Sequence, residues 1–264
     1  MKVRVITAIV ALIIFIPILL LGGNTLLILS LLLGIVGISE FLRMKHRFFV
    51  STEAWISFVG VIVLILPRNF WHHIPLIQSS HIVFYFLAFL LLLHTVFSRN
   101  RFNFDDAGAL ALATLYVGTG FHYFVQARAV GLAVIMFGLL IVWLTDSGAY
   151  MVGRAIGKHK LAPKISPNKT WEGSIGGSIV AVIVVSGLFT IFNWLPQYHF
   201  FELLVLALLL SIAGQMGDLI ESGFKRHYGV KDSGNILPGH GGILDRFDSM
   251  LVVMPLMAIL GMLS

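Results

Sequence analysis

Residues 201–249 read FELLVLALLLSIAGQMGDLIESGFKRHYGVKDSGNILPGHGGILDRFDS, and the two halves of this stretch obey different rules. The first half, 201–221, is an apolar run of the length, about 20 residues, that crosses a bilayer as a helix. It nevertheless carries Asp218 near its end. Residues 222–249 then crowd Lys225, Arg226, Lys231, Asp232, His240, Asp245, Arg246 and Asp248 into a glycine-rich segment. Ionisable side chains are costly near lipid and rarely accumulate there without a function. A membrane helix running into a charged loop therefore sets the fold class and the place of the chemistry together.

The rest of the chain agrees. Of its 264 residues 58% are hydrophobic and 11% charged, far from the average soluble domain. Lipid leaves only helices and closed barrels able to satisfy the backbone. Barrel strands alternate over about ten residues, whereas these apolar runs are continuous. The expected fold is an all-α polytopic integral membrane protein of about nine transmembrane helices, at 5–21, 24–41, 54–67, 81–97, 107–125, 130–150, 173–194, 201–221 and 249–263. The run 5–21 is read as a retained first span, since it exceeds a usual signal-peptide core and no clear cleavage site follows it. The chain has no cysteine, which excludes disulfides, thiolate catalysis and thiolate metal sites.

Lysine and arginine orient the spans. With a cytoplasmic N-terminus and an outside C-terminus, all of the 18 basic residues except Arg68 and Arg128 fall on the inner side, as the positive-inside rule requires. The two longest inner loops, 154–172 and 222–248, are also the richest in charge and glycine. Residues 1–128 are accordingly read as a transmembrane scaffold with lipid or dimer contacts, and 129–264 as the catalytic region.

Asp218, Ser222 and Lys225 lie at i, i+4 and i+7, on one helical face, with Glu221 beside it. Across the loop Asp245, Asp248 and Ser249 open the last span. Carboxylates at two helix ends suit a hard divalent cation such as Mg²⁺, which takes one or two of them together with waters and phosphate oxygens. Asp245 and Asp248 also suit helix capping, but capping leaves Asp218 unexplained. Gly229, Gly234, Gly239, Gly241 and Gly242 allow backbone amides to approach an anion, with Lys225, Arg226, Lys231 and Arg246 to supply positive charge, although glycine content alone favours an ordinary flexible loop. No G-x-x-x-x-G-K-[ST] loop occurs.

The other inner loop ends in Ser166-Pro167-Asn168-Lys169-Thr170-Trp171-Glu172-Gly173. Either Thr170 or Asn168 simply caps the next helix, with Gly173, Gly176 and Gly177 for close packing, or the helix end and Lys169 receive a phosphate. Asp146 is open between a third metal ligand, a partner for arginine and an acceptor for a nucleotide hydroxyl. His240 is either a phosphate contact or a structural donor. His94 and His122 read as hydrogen-bonded packing residues, and His72 and His73 have no carboxylate pair nearby.

The pattern Ser222-x-x-Lys225-Arg226-x4-Lys231-Asp232-x-Gly234-x2-Leu237-Pro238-x-His240-Gly241-Gly242-x-x-Asp245-Arg246-x-Asp248 resembles the signature of the phosphatidate cytidylyltransferases, also called CDP-diacylglycerol synthases. Ser166–Gly173 resembles a second block of that family, and the length and span count fit too. The resemblance implies transfer of CMP from CTP to phosphatidic acid, giving CDP-diacylglycerol and pyrophosphate in phospholipid biosynthesis. It implies Asp218, Asp245 and Asp248 as ligands of Mg²⁺, with a second cation allowed. Asp218, Asp245, Lys225 and Arg246 become catalytic residues, and Ser166, Lys169, Thr170, Ser222, Arg226, Lys231, His240 and Asp146 substrate contacts. It further implies a homodimer in the inner (cell) membrane with its site facing the cytoplasm, and no nucleic-acid partner.

Three other classes are disfavoured or separable. A transporter or channel would spread polar residues through the spans towards the outer face, but here they crowd at one face. A CDP-alcohol phosphotransferase would show D-G-x2-A-R-x8-G-x3-D-x3-D, which is absent. A CTP-dependent polyprenol or phytol kinase differs by transferring the γ-phosphoryl group and releasing CDP.

Overall fold

The computed structural model describes residues 2–71 and 79–263; His72 and His73 fall outside the described residues. The helices are α1 (Lys2–Leu21), α2 (Gly23–Met44), α3 (Thr52–Ile65), α4 (Arg68–Trp71), α5 (Ser80–Phe97), α6 (Phe104–Val130) and α7 (Leu132–Ile156). Strands β1 (Lys160–Ala162) and β2 (Ser166–Thr170) follow, then α8 (Trp171–Ile191), α9 (Phe200–His227), α10 (Leu244–Phe247) and α11 (Met250–Ile259). Among the described residues six helices, α2 and α5 to α9, are long and apolar enough to cross a membrane. The apolar part of α1 (Ile6–Leu21), α3 and α11 are shorter.

The chain is mostly helical rather than all-α, because residues 160–170 form an antiparallel hairpin pairing Lys160 with Thr170 and Ala162 with Ser166. Its base is closed by the next helix. Trp171 N donates to His159 O at 2.9 Å, and the Glu172 carboxylate accepts from Lys158 N and His159 N. An acid in the first turn of α8 also faces the positive helix end.

Two compact units make up the chain: Met1–Gln126 with Val230–Asp245, and Ala127–Gly229 with Arg246–Ser264. Residues 230–245, which the sequence groups with the second half, thus pack with the first.

In the first unit α3 meets α2 and α6 through small residues on those two helices. A Cβ on Gly34 would lie 2.6 Å from Ile65 Cδ1, and one on Gly118 2.7 Å from Leu64 Cβ. The basic turn after α2 is anchored to the start of α6, where Lys45 Nζ lies 2.8 Å from Asp106 Oδ1 and Arg47 pairs with the same carboxylate. His94 Nε2 stands 3.3 Å from Glu53 Oε2, and His122 Nδ1 3.4 Å from Ile65 O.

In the second unit α7, α8, α9 and α11 pack together. Here α7 and α8 touch backbone to backbone. A Cβ on Gly148 would lie 3.0 Å from Gly177 Cα, and one on Gly177 2.5 Å from Thr145 O. Such contacts are how helices associate in lipid, where no hydrophobic force draws them together. Beside this seam Thr145 Oγ1 and Ser211 Oγ share a hydrogen bond of 2.8 Å. Ser211 Oγ donates to Ser178 Oγ at 2.9 Å, as does Gln215 Nε2 at 2.8 Å. The polar ladder links α7, α8 and α9.

A methyl group on Gly177 meets backbone, which cannot step aside. Gly177→Ala is therefore expected to destabilise the detergent-solubilised protein by about 1–3 kcal/mol, read as a lowered Tm. An unchanged Tm would show the seam to be looser than described.

Candidate active site

Asp218 lies 18 residues into α9, about 27 Å along a helix that is about 42 Å long. The helix outruns a hydrocarbon core of about 30 Å, so Asp218 sits where the apolar run ends and the charged turn begins. Lys169 Nζ, from β2, is 2.5 Å from Asp218 Oδ2. Ser222 Oγ, one turn on, donates to Asp218 Oδ1 at 3.3 Å. A further turn brings Lys225, which pairs with the buried Glu221. Arg226 Nε donates to Ile165 O at 3.1 Å, fastening the end of α9 to the hairpin that carries Lys169.

Gly217 brings the second acid close. A Cβ there would lie 2.7 Å from Asp248 O and 3.0 Å from Ser249 Cα, so α9 runs against the backbone entering α11. Asp248 Oδ1 accepts from Ser249 N at 2.7 Å. Burial pushes the Asp248 carboxyl up to about 7, the Asp218 and Asp146 carboxylates add to the rise, and the Ser249 amide opposes it. Three acids from α7, α9 and the turn before α11 therefore sense one another, with Lys169 paired to Asp218 and the positive charges of Lys225 and Arg246 also acting on the group.

Thr170 takes the capping role: buried, it accepts from Gly173 N at 3.2 Å at the start of α8. Ser166 opens β2. Arg246 lies in α10 and is exposed. Asp146, Ser166, Lys169, Thr170, Asp218, Ser222, Lys225, Arg226, Arg246 and Asp248 all belong to the second unit; Lys231, His240 and Asp245 belong to the first.

Residues 230–245 are ordered by specific bonds. Leu237-Pro238-Gly239-His240 is a tight turn with His240 N donating to Leu237 O at 2.8 Å. Gly239 at φ 76° supplies the left-handed position after proline that a type II turn requires. Asp245 Oδ2 accepts from Ser233 N (2.9 Å), Ser233 Oγ (3.0 Å) and Gly242 N (2.7 Å). Lys231 is exposed.

Sequence reasoning passed over Glu40 and Ser233. Glu40, 2% exposed in α2, accepts from Ile243 N at 2.7 Å, Leu244 N at 2.9 Å and Ser233 Oγ at 2.9 Å. The available signal was the acid itself, since an ionisable residue inside an apolar helix needs a named partner.

The acids suit a hard cation. Among the described residues no group of three or more His, Asp or Glu side chains stands as a ready-made metal cage. Mg²⁺ does not require one: one or two carboxylates, waters and substrate phosphates are its usual shell. The carboxyl of Asp248, held above the usual carboxylate range by burial and then by its acidic neighbours, is a ligand that positive charge would stabilise.

A family profile described as "Cytidylyltransferase family" matches residues 2–263. Curated relatives named phosphatidate cytidylyltransferase include one from Staphylococcus haemolyticus, 50% identical over 262 residues, and one from Staphylococcus aureus, also 50% identical over 262 residues. A third, from Staphylococcus saprophyticus, is 49% identical over 265 residues. Each alignment covers 98% of this chain and 98% of the relative. On that coverage, and with acids and bases gathered at the end of α9, the chain belongs to the cytidylyltransferase family.

Proposed function

We propose that the protein is a phosphatidate cytidylyltransferase, moving CMP from CTP to phosphatidate to give CDP-diacylglycerol and pyrophosphate. The observation that carries this reading is Asp218, where the apolar run of a membrane-length helix ends, paired with Lys169 and sensed by Asp248. It is a charged cluster on an otherwise apolar helix, in a chain half identical to relatives of that name.

An oxygen of the lipid phosphate bonds to the α-phosphorus of CTP as the bond from that phosphorus to the bridging oxygen breaks, and pyrophosphate leaves. The lipid phosphate is already anionic near neutral pH, so no strong general base is needed. The residues position charge and neutralise it. Lys169, Lys225, Arg226, Lys231 and Arg246 bind phosphates, with His240 and Ser166 as further contacts. Thr170 orients Lys169 by capping α8. Ser222 holds the Asp218 carboxylate in plane, and Asp146 stands beside the acids as nucleotide acceptor or further ligand. Asp218, Asp248 and Asp245 would hold Mg²⁺, and a second cation could join it. When bound, the metal supplies Lewis-acid neutralisation of phosphate oxygens.

We further infer nine spans with the N-terminus in the cytoplasm and the C-terminus outside, in the cell membrane. The distribution of the 18 basic residues supports it. The protein is further inferred to form the homodimer that family resemblance implies. Of α5 only Leu91 is buried, which leaves a helix face for lipid or a second copy.

The test is incubation of purified protein with phosphatidate, Mg²⁺ and CTP labelled at either the α- or the γ-phosphorus. The α-label should enter lipid and the γ-label pyrophosphate. Transfer of the γ-label to lipid would make the protein a kinase and overturn the reading.

Asp248 adds a pH dependence. A carboxyl raised to about 7 must lose its proton before it can hold a cation, so below that pH protons compete with metal. Half-saturating Mg²⁺ is expected to rise about tenfold per pH unit below about 7 and to level off above it. A flat profile down to about pH 5.5 would remove Asp248 from the ligand set.

A further inference from the structure

We propose that Glu40 is a positioning residue for cytidylyl transfer, acting through Ser233 on Asp245; this rests on the role given to Asp245 above. Glu40 belongs to α2, in the part of the chain that composition marks as scaffold. Its carboxylate is nevertheless committed to the signature loop. Oε1 takes the amide of Ile243 at 2.7 Å, and Oε2 takes the amide of Leu244 at 2.9 Å and the hydroxyl of Ser233 at 2.9 Å. All three partners are donors, so both oxygens of the group serve as acceptors.

Ser233, 2% exposed, is the hinge of the arrangement. Its Oγ lies 2.9 Å from Glu40 Oε2 and 3.0 Å from Asp245 Oδ2, and its own amide donates to the same Asp245 oxygen at 2.9 Å. One hydroxyl proton thus stands between two carboxylates. Glu40 grips the backbone on the amino side of Asp245 at two consecutive amides, while Ser233 and Gly242 grip Asp245 Oδ2. Fixing one oxygen and the chain that carries it fixes the plane of the carboxylate.

The surrounding glycines fit this and nothing larger. A Cβ on Gly234 would lie 2.7 Å from Glu40 Oε1. One on Gly242 would collide with both Ser233 Oγ and the Glu40 carboxylate. Loop, serine and glutamate are built as one piece.

The experiment compares Glu40→Gln, Glu40→Ala, Ser233→Ala and the double variant Glu40→Gln/Ser233→Ala. Glu40→Gln keeps the shape and one acceptor oxygen but turns an amide NH₂ towards donors. It is expected to lower kcat about 10–100-fold and to raise half-saturating Mg²⁺ by a similar factor, with KM for phosphatidate within about threefold. Ser233→Ala is expected to lose less, and the double variant to be no worse than Glu40→Gln, since both break one relay. A second readout needs no turnover: amide hydrogen exchange across 240–245 should speed up at least about tenfold in Glu40→Ala, with α8 and α9 unchanged. If Glu40→Ala yields no folded protein, the exchange comparison is made on Glu40→Gln. Unchanged exchange, activity within about twofold of wild type in Glu40→Gln, or additive losses in the double variant would each overturn the proposal. If the wild type transferred no cytidylyl group, the exchange result would still decide whether Glu40 holds the loop.

Discussion

Asp218→Asn is expected to lower kcat/KM for cytidylyl transfer about a thousandfold while leaving the protein folded. The amide keeps the size of the side chain and an oxygen for Ser222 Oγ, which donates to Oδ1 at 3.3 Å. It removes the charge that faces Lys169 at 2.5 Å and that would share a cation with Asp248. Stabilisation of phosphate oxygens by a bound metal is worth several kcal/mol, and each 1.36 kcal/mol is a factor of ten. Labelled CTP turnover, with size-exclusion behaviour and Tm as controls, reads the effect. Activity within about tenfold of wild type would remove Asp218 from the centre of the mechanism.

Gly242→Ala is expected to cost about a hundredfold in turnover by a different route. Its Cβ would collide with Ser233 Oγ and the Glu40 carboxylate, and its amide is the donor 2.7 Å from Asp245 Oδ2. Room for a methyl group is made only by parting the Glu40–Ser233–Asp245 set. Gly223→Ala is the control, because nothing lies within 4 Å of a Cβ there and alanine is the better helix former. Turnover should fall in the first variant and hold in the second. Equal activity in both would mean that the loop adapts and that its geometry does not matter to the reaction.

The helical frame was legible because lipid imposes one rule on every span: long apolar runs read as helices wherever they occur. The Asp218–Ser222–Lys225 face was legible for a similar reason, since helical spacing places side chains without knowledge of the tertiary fold. Hairpin 160–170 was not. Ser166-Pro167-Asn168-Lys169-Thr170 lacks alternation and carries a proline. Its strands are held by Glu172 and Trp171 from the following helix, contacts that no local pattern encodes. Glu40 was hidden by distance in sequence. Its neighbours Ser39 and Phe41 suggest nothing, and its donors lie 193 to 204 residues further on. The glycines of 230–245 read as either an anion nest or a flexible loop, and neither reading foretold that Gly234 and Gly242 make room for Glu40 while Gly239 completes a turn.

The bond between Leu244 N and Glu40, 204 residues apart, has a consequence in time. A ribosome adding about 5–20 residues per second needs roughly 10–40 s to travel from one to the other. Through that interval α2 exists without the donors that its acid meets in the finished protein. The last segments to be made therefore complete a helix that was among the first, and a nascent chain released before residue 243 leaves Glu40 without its backbone partners.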